Sequence, residues 1–124
     1  MYRIGVDLVE IARLERSLRR SAHFLQLCFS DAEVKEANQY RNERRSEYLA
    51  GRLASKEAVL KALHMRIEDT TTLKEIEVLG EMDGSPRLRL LGCIAQFAAN
   101  CSLSEWQVSI SHDAGIAIAF VLFN

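Results

Sequence analysis

Ser46-Glu47-Tyr48-Leu49-Ala50-Gly51-Arg52-Leu53-Ala54-Ser55-Lys56-Glu57-Ala58-Val59-Leu60-Lys61-Ala62-Leu63-His64 carries a sustained helical pattern. Leu49, Leu53, Leu60 and Leu63 form an apolar stripe, and Ala50, Ala54, Ala58 and Ala62 beside it let a neighbour pack closely. A long central helix is therefore expected. Upstream, Tyr2, Ile4, Val6 and Leu8 alternate with Arg3, Gly5 and Asp7, the period of a half-buried strand with Asp7 off the apolar row. Ile11, Leu14 and Leu18 then follow helical spacing with Arg13, Arg16 and Arg20 opposite, a helix with a basic face. Ser30-Asp31-Ala32-Glu33 has capping-box spacing and opens a further short helix, and Arg41-Asn42-Glu43-Arg44-Arg45 reads as a charged connector.

Downstream the pattern turns to strands. Ile76 and Val78, the turn signal Asp83-Gly84, then Leu88 and Leu90 make residues 74–91 a hairpin. Gly92 to Cys101 is a short apolar helix. Trp106, Val108, Ile110 and His112 alternate with Gln107, Ser109 and Ser111, and Asp113-Ala114-Gly115 turns the chain into a last strand ending at Phe123. Hairpin-linked strands with helices between them predict an α+β domain: a mainly antiparallel sheet packed with the long helix.

The chain has 124 residues, 48% hydrophobic and 27% charged, with one Pro and six Gly. This is the size of one domain, 1–124, and excludes disordered and collagen-like classes. Folding hides roughly two-thirds of the unfolded surface at this length, a core with little margin that oligomerisation would help. A formal net charge of -1 argues against a nucleic-acid partner for Arg41 to Arg45. Cys28, Cys93 and Cys101 are odd in number, and the latter two stand roughly 12 Å apart on a helix, which points to a reducing, cytoplasmic location. The early Asp7 does not fit a secretory leader, and Gly115 to Phe123 is too short to span a membrane, so no membrane partner is expected.

Glu57 and Lys61 stand four apart on one helix face, with Lys56 beside them and Arg52 one turn before. By position alone they read as an exposed ion pair. Asp7 interrupts an apolar strand, where Asp is disfavoured, or else simply faces solvent. If Asp7 and Glu57 converge, the two carboxylates make an oxygen site for a hard divalent cation, with Lys61 as a phosphate partner. His112 closes a strand before a turn, a position that reaches a cleft as readily as it serves structure. His23 and His64 show no zinc spacing.

The opening Ile4-Gly5-Val6-Asp7-Leu8-Val9-Glu10-Ile11, the run Glu47 to Ala58 continuing through Lys61-Ala62, the turn Asp83-Gly84-Ser85-Pro86 and the late Val108-Ser109-Ile110-Ser111-His112-Asp113 together resemble the holo-acyl-carrier-protein synthases, the short-type 4'-phosphopantetheinyl transferases. The resemblance covers nearly the whole chain in the right order. It implies transfer of 4'-phosphopantetheine from coenzyme A to a serine of apo acyl carrier protein, with release of 3',5'-ADP, as a step in fatty acid biosynthesis. It also implies that Asp7 and Glu57 are Mg2+ ligands and that Lys61 contacts the pyrophosphate. Glu57 and a metal-bound water are the two candidates to take the serine proton, and the sequence does not choose between them. Arg44, Arg45, Arg52, Gly84, Pro86, Ser111 and His112 are implied to line the coenzyme A site, and Arg13, Arg16 and Arg20 to dock the acidic carrier. Family members are homotrimers with clefts between subunits. The alternative is a non-catalytic homologue that binds coenzyme A or a carrier protein.

One departure stands out. The family commonly follows the central helix with a glycine-containing turn, whereas this chain has His64-Met65-Arg66, and Arg3 replaces a frequent glycine. A left-handed helix end is costlier without glycine, so a different loop path is expected.

Overall fold

The computed structural model describes residues 1–66 and 70–124. The chain runs β1 (Arg3–Glu10), α1 (Ile11–Arg20), α2 (Phe24–Cys28), α3 (Asp31–Ala37), α4 (Asn42–Ala62), a 3-10 turn (Thr70–Glu75), β2 (Ile76–Gly80), β3 (Pro86–Leu90), α5 (Gly92–Asn100), β4 (Trp106–Asp113) and β5 (Ile116–Phe123). Strands β1-β5-β4 form one antiparallel sheet, and β2-β3 form a separate antiparallel hairpin. The expected α+β class holds. No helix among the described residues is long and apolar enough to cross a membrane.

Helix α4 lies across the inner face of the three-stranded sheet. Ala50, Ala54, Ala58 and Ala62 are fully buried there, against Ala117, Ala119, Val121 and Phe123 of β5. Small side chains on both surfaces bring backbone close to backbone, and this places β1 directly on the helix. Trp106 stacks near Phe123 and donates its indole N–H to the Leu88 carbonyl at 3.0 Å, which joins the β2-β3 hairpin to the larger sheet.

Three expectations need correction. The apolar row Ile4, Val6 and Leu8 is the exposed side of β1, while Gly5, Asp7 and Val9 face inward. Arg41-Arg45 is not a connector: Arg41 precedes α4 and Asn42 to Arg45 form its first turn, because Glu43, Arg44 and Arg45 are good helix formers. The end of α4 keeps its left-handed closure without glycine. His64 has φ +59°, its N–H bonds the Lys61 carbonyl at 3.1 Å, and the Met65 N–H bonds the Leu60 carbonyl at 2.8 Å, the two bonds of a Schellman motif.

The capping box at Ser30 is present as expected, and it belongs to a larger buried ion network. Lys56, fully buried, donates to Glu33 Oε1 and to the Leu73 carbonyl, each at 2.7 Å, and to the Ile76 carbonyl. Glu33 Oε2 accepts the Val78 N–H at 2.9 Å, and Ser30 Oγ donates to Glu77 Oε2 at 2.7 Å. Burial pulls the Lys56 ammonium below its ordinary pKa, opposed by Glu33. The network ties α3, α4 and β2 together one residue before Glu57.

Candidate functional site

Asp7 projects from the inward face of β1, two residues beyond Gly5, and meets α4 one turn from its end. Lys61 Nζ approaches Asp7 Oδ1 at 2.6 Å and the Val6 carbonyl at 3.2 Å. The Lys61 side chain is 59% exposed and that of Asp7 13%, so the ammonium can leave for a ligand while the carboxylate stays in place. Glu57, one turn earlier, faces the same carboxylate. Burial, and then hydrogen bonding to Asp7 and the Asp7 charge, push the Glu57 carboxyl up to about 8, while Lys61 and Arg13 pull it down. Asp7 in turn raises the Lys61 ammonium above its usual value. Two carboxylates held this close are relieved by a proton on Glu57, by the Lys61 ammonium, or by a bound cation that displaces the proton.

That donor set fits a divalent cation. Asp7 and Glu57 offer hard carboxylate oxygens only, a set suited to Mg2+ with water filling the remaining positions. A cluster of three or more His, Cys, Asp or Glu is absent among the described residues, which also speaks against an all-protein metal cage.

A second cleft, of about 240 Å³, opens along the N-terminal half of α4. It gathers Arg44, Arg52, Gly84, Pro86 and His112, five of the residues expected to line a coenzyme site, with Tyr40, Tyr48 and Glu47. His112 Nε2 stands 3.4 Å from Glu47, and Arg44 lies over the Tyr40 ring at 5.6 Å. Gly84 takes φ +87° in the β2-β3 turn, where Asp83 accepts from the Ser85 N–H and hydroxyl. Two expected residues stand apart: Arg45 donates to Asn38 at 3.1 Å, and Ser111 faces the outer side of β4, opposite His112. Along α4 the cleft runs from Arg44 to Arg52 and the Asp7 cluster from Glu57 to Lys61, so their near edges are five residues, ~8 Å, apart along the axis.

Arg13, Arg16 and Arg20 are exposed on α1. They are not equivalent. Arg16 stands 3.7 Å from Glu10, whereas Arg13 shares a groove of about 250 Å³ with Leu8, Leu53 and Glu57. Sequence reading also passed over Glu36 and Tyr40, and gave Glu47 no role of its own; their places near the cleft arise from tertiary contact.

A family model described as the 4'-phosphopantetheinyl transferase superfamily matches residues 3–121. A holo-[acyl-carrier-protein] synthase of Streptomyces avermitilis is 40% identical over 120 residues, covering 96% of this chain and 94% of that protein. One of Halorhodospira halophila is 37% identical with the same coverage. Among solved structures, the Chronobacterium ammoniagenes ACPS-CoA complex superposes with TM-score 0.88 at 33% identity, covering 100% of this chain and 97% of that one. The Helicobacter pylori holo-[acyl-carrier-protein] synthase in complex with coenzyme A gives TM-score 0.80 at 31% identity, covering 98% and 99%. With sequence, fold and nearly full-length coverage in agreement, this chain belongs to the 4'-phosphopantetheinyl transferase superfamily.

Proposed function

We propose that residues 1–124 act as one holo-acyl-carrier-protein synthase domain, moving 4'-phosphopantetheine from coenzyme A to a serine of apo acyl carrier protein. The serine oxygen bonds to the β-phosphorus of coenzyme A, its proton passes to the ionised Glu57 carboxylate or to water at the site, and the bond from that phosphorus to the 3',5'-ADP oxygen breaks, so that 3',5'-ADP leaves with the electron pair. The observation that carries this reading is the convergence of Asp7, Glu57 and Lys61 in a member of that superfamily.

Asp7 and Glu57 are the residues that would hold Mg2+. Bound there, the ion supplies Lewis acidity to a phosphate under attack. Lys61, exposed at the surface, swings from Asp7 to the pyrophosphate oxygens, where negative charge grows as the bond to 3',5'-ADP lengthens. Arg44, Arg52, Gly84, Pro86 and His112 hold the nucleotide end of coenzyme A, and Arg16 and Arg20 attract the acidic carrier.

The outer face of the three-stranded sheet supports assembly with further copies of this chain: Ile4, Val6, Leu8, Ile116, Ile118 and Phe120 are all exposed on it. A homotrimer covers that face and brings one chain's cleft to its neighbour's carboxylates. The direct test is to mix the protein with coenzyme A, Mg2+ and apo acyl carrier protein and weigh the carrier by mass spectrometry. A gain of one phosphopantetheine is expected; an unmodified carrier overturns the reading.

A further inference from the structure

Glu36 lies outside every motif quoted above, yet three donors from two segments of the chain, α4 and β2, converge on its carboxylate. Oε1 accepts the Tyr48 hydroxyl at 2.8 Å, the Gly80 backbone N–H at 2.8 Å and Arg52 Nη2 at 3.3 Å. Arg52 also donates from Nε to the Val78 carbonyl at 3.2 Å, and its guanidinium lies 3.9 Å from the centre of the Tyr48 ring. The Arg52 side chain is only 12% exposed and that of Glu36 22%, so the Arg52 and Tyr48 contacts are partly shielded from water, while the Gly80 contact lies at the surface. Gly80 fits the arrangement, because a β-carbon there would press to 3.3 Å from Oε1.

Gly80 is the last residue of β2, immediately before the turn that carries Gly84 and Pro86 into the coenzyme cleft. A two-stranded hairpin is marginally stable by itself, so the position of its tip depends on tethers to the rest of the fold. Glu33 and Trp106 hold its middle, at Val78 and Leu88. The Glu36 contact holds the end of β2 nearest the turn. Arg52 meanwhile commits Nε and Nη2 to protein acceptors, which fixes the plane of its guanidinium before any ligand arrives.

We propose that Glu36 is a positioning residue for coenzyme A binding: it locks Arg52 and the β2-β3 turn in place on the two sides of the cleft. The identity of the ligand rests on the function proposed above. Glu36 touches neither ligand nor reacting atoms; it acts through Arg52, Tyr48 and the Gly80 backbone. Preorganisation of this kind strengthens ground-state binding, so its loss falls on KM for coenzyme A more than on kcat.

The test uses the full chain with coenzyme A, Mg2+ and apo carrier, comparing wild type with Glu36→Ala, Glu36→Gln and Tyr48→Phe. Steady-state kinetics against each substrate, calorimetry with coenzyme A and thermal melting are measured on all four proteins. Glu36→Ala is expected to raise both KM and Kd for coenzyme A roughly tenfold, with KM for the carrier unchanged. Glu36→Gln keeps the shape and an acceptor and Tyr48→Phe removes one hydroxyl, so each is expected to give a rise of roughly threefold. If Glu36→Ala does not fold, the other two variants decide. A fall in kcat that tracks a lowered melting temperature, with KM and Kd for coenzyme A unmoved, overturns the proposal. So do variants indistinguishable from an active wild type. A wild type that neither binds coenzyme A nor modifies the carrier overturns the proposed function instead, and this proposal with it.

Discussion

Gly5 on β1 and Ala58 on α4 meet backbone to backbone: a β-carbon on Gly5 would overlap the Ala58 carbonyl oxygen and stand 3.0 Å from the Ala62 nitrogen. Neither neighbour can rotate away, since both belong to the helix backbone. Asp7 lies two residues on, facing the same way, so this contact also sets the reach of Asp7 to Lys61 and Glu57. Gly5→Ala should therefore cost stability and displace the site together. Overpacking costs typically ~1–3 kcal/mol, and the upper end is expected where only backbone can yield. Chemical denaturation checks this, and an unchanged midpoint would contradict the contact.

The same contact explains where sequence reading chose the wrong side of β1. Alternation identifies two faces of a strand but not which one is covered, and the apolar row Ile4-Val6-Leu8 is the natural choice. Helix α4 instead packs on Gly5, Asp7 and Val9, because a glycine there permits close approach. Elements with long periods or paired signals were legible: α4, both hairpins, α5 and the Ser30 capping box. Helix α2 was not, since five residues are too short to display a helical period. Asp7, Glu57 and Lys61 were legible as types and spacing. Glu36 was not, because Gly80 lies 44 residues away and only the fold brings them together.

Asp7→Asn and Glu57→Gln should each lower turnover about 100-fold or more while the protein still folds. Each removes charge from a metal-ligand pair at the edge of the core, and Asn and Gln preserve volume. Circular dichroism should match wild type while carrier modification at limiting Mg2+ collapses. Full activity at low Mg2+ in either variant would contradict their assignment as ligands.

His64 pays a conformational cost at the end of α4. A non-glycine residue in the left-handed region is disfavoured by roughly 1–2 kcal/mol, and glycine removes that strain. The freer unfolded chain of the glycine variant gives back about 0.5–1 kcal/mol. His64→Gly should accordingly gain stability by about 0.5–1 kcal/mol, with the Lys61 and Leu60 carbonyls still capped. Thermal or urea unfolding measures it, and a lower midpoint would mean that the imidazole makes a contact worth more than the strain.

Val6 and Phe120 are register partners on adjacent strands and are 48% and 45% exposed on the outer face of the sheet. The protein should sediment as a trimer, with this face at the subunit contact. Val6→Lys with Phe120→Asp should yield monomers that retain secondary structure, because neither side chain enters the core of its own chain. Activity should fall with assembly if the cleft is completed by a neighbour. Sedimentation equilibrium showing monomeric wild type across the working concentration range would overturn both the assembly and the shared site.

Charge reversal on α1 should separate carrier docking from coenzyme binding, provided Arg13 is left alone. Arg13 shares a groove with Glu57 and favours its ionised form, so altering it would disturb the carboxylate pair as well as the docking surface. Arg16 and Arg20 are exposed, and the core contact of α1 is made by Leu14. Arg16→Glu with Arg20→Glu should lower kcat/KM for an acidic carrier roughly tenfold at low ionic strength, mainly through slower association. The defect should shrink in high salt, where the Debye length falls to ~3 Å at 1 M and the wild-type attraction is itself screened. Calorimetry should find coenzyme A affinity unchanged. A carrier defect indifferent to salt, or equal damage to coenzyme binding, would mean that α1 supports the cleft rather than the encounter with the carrier.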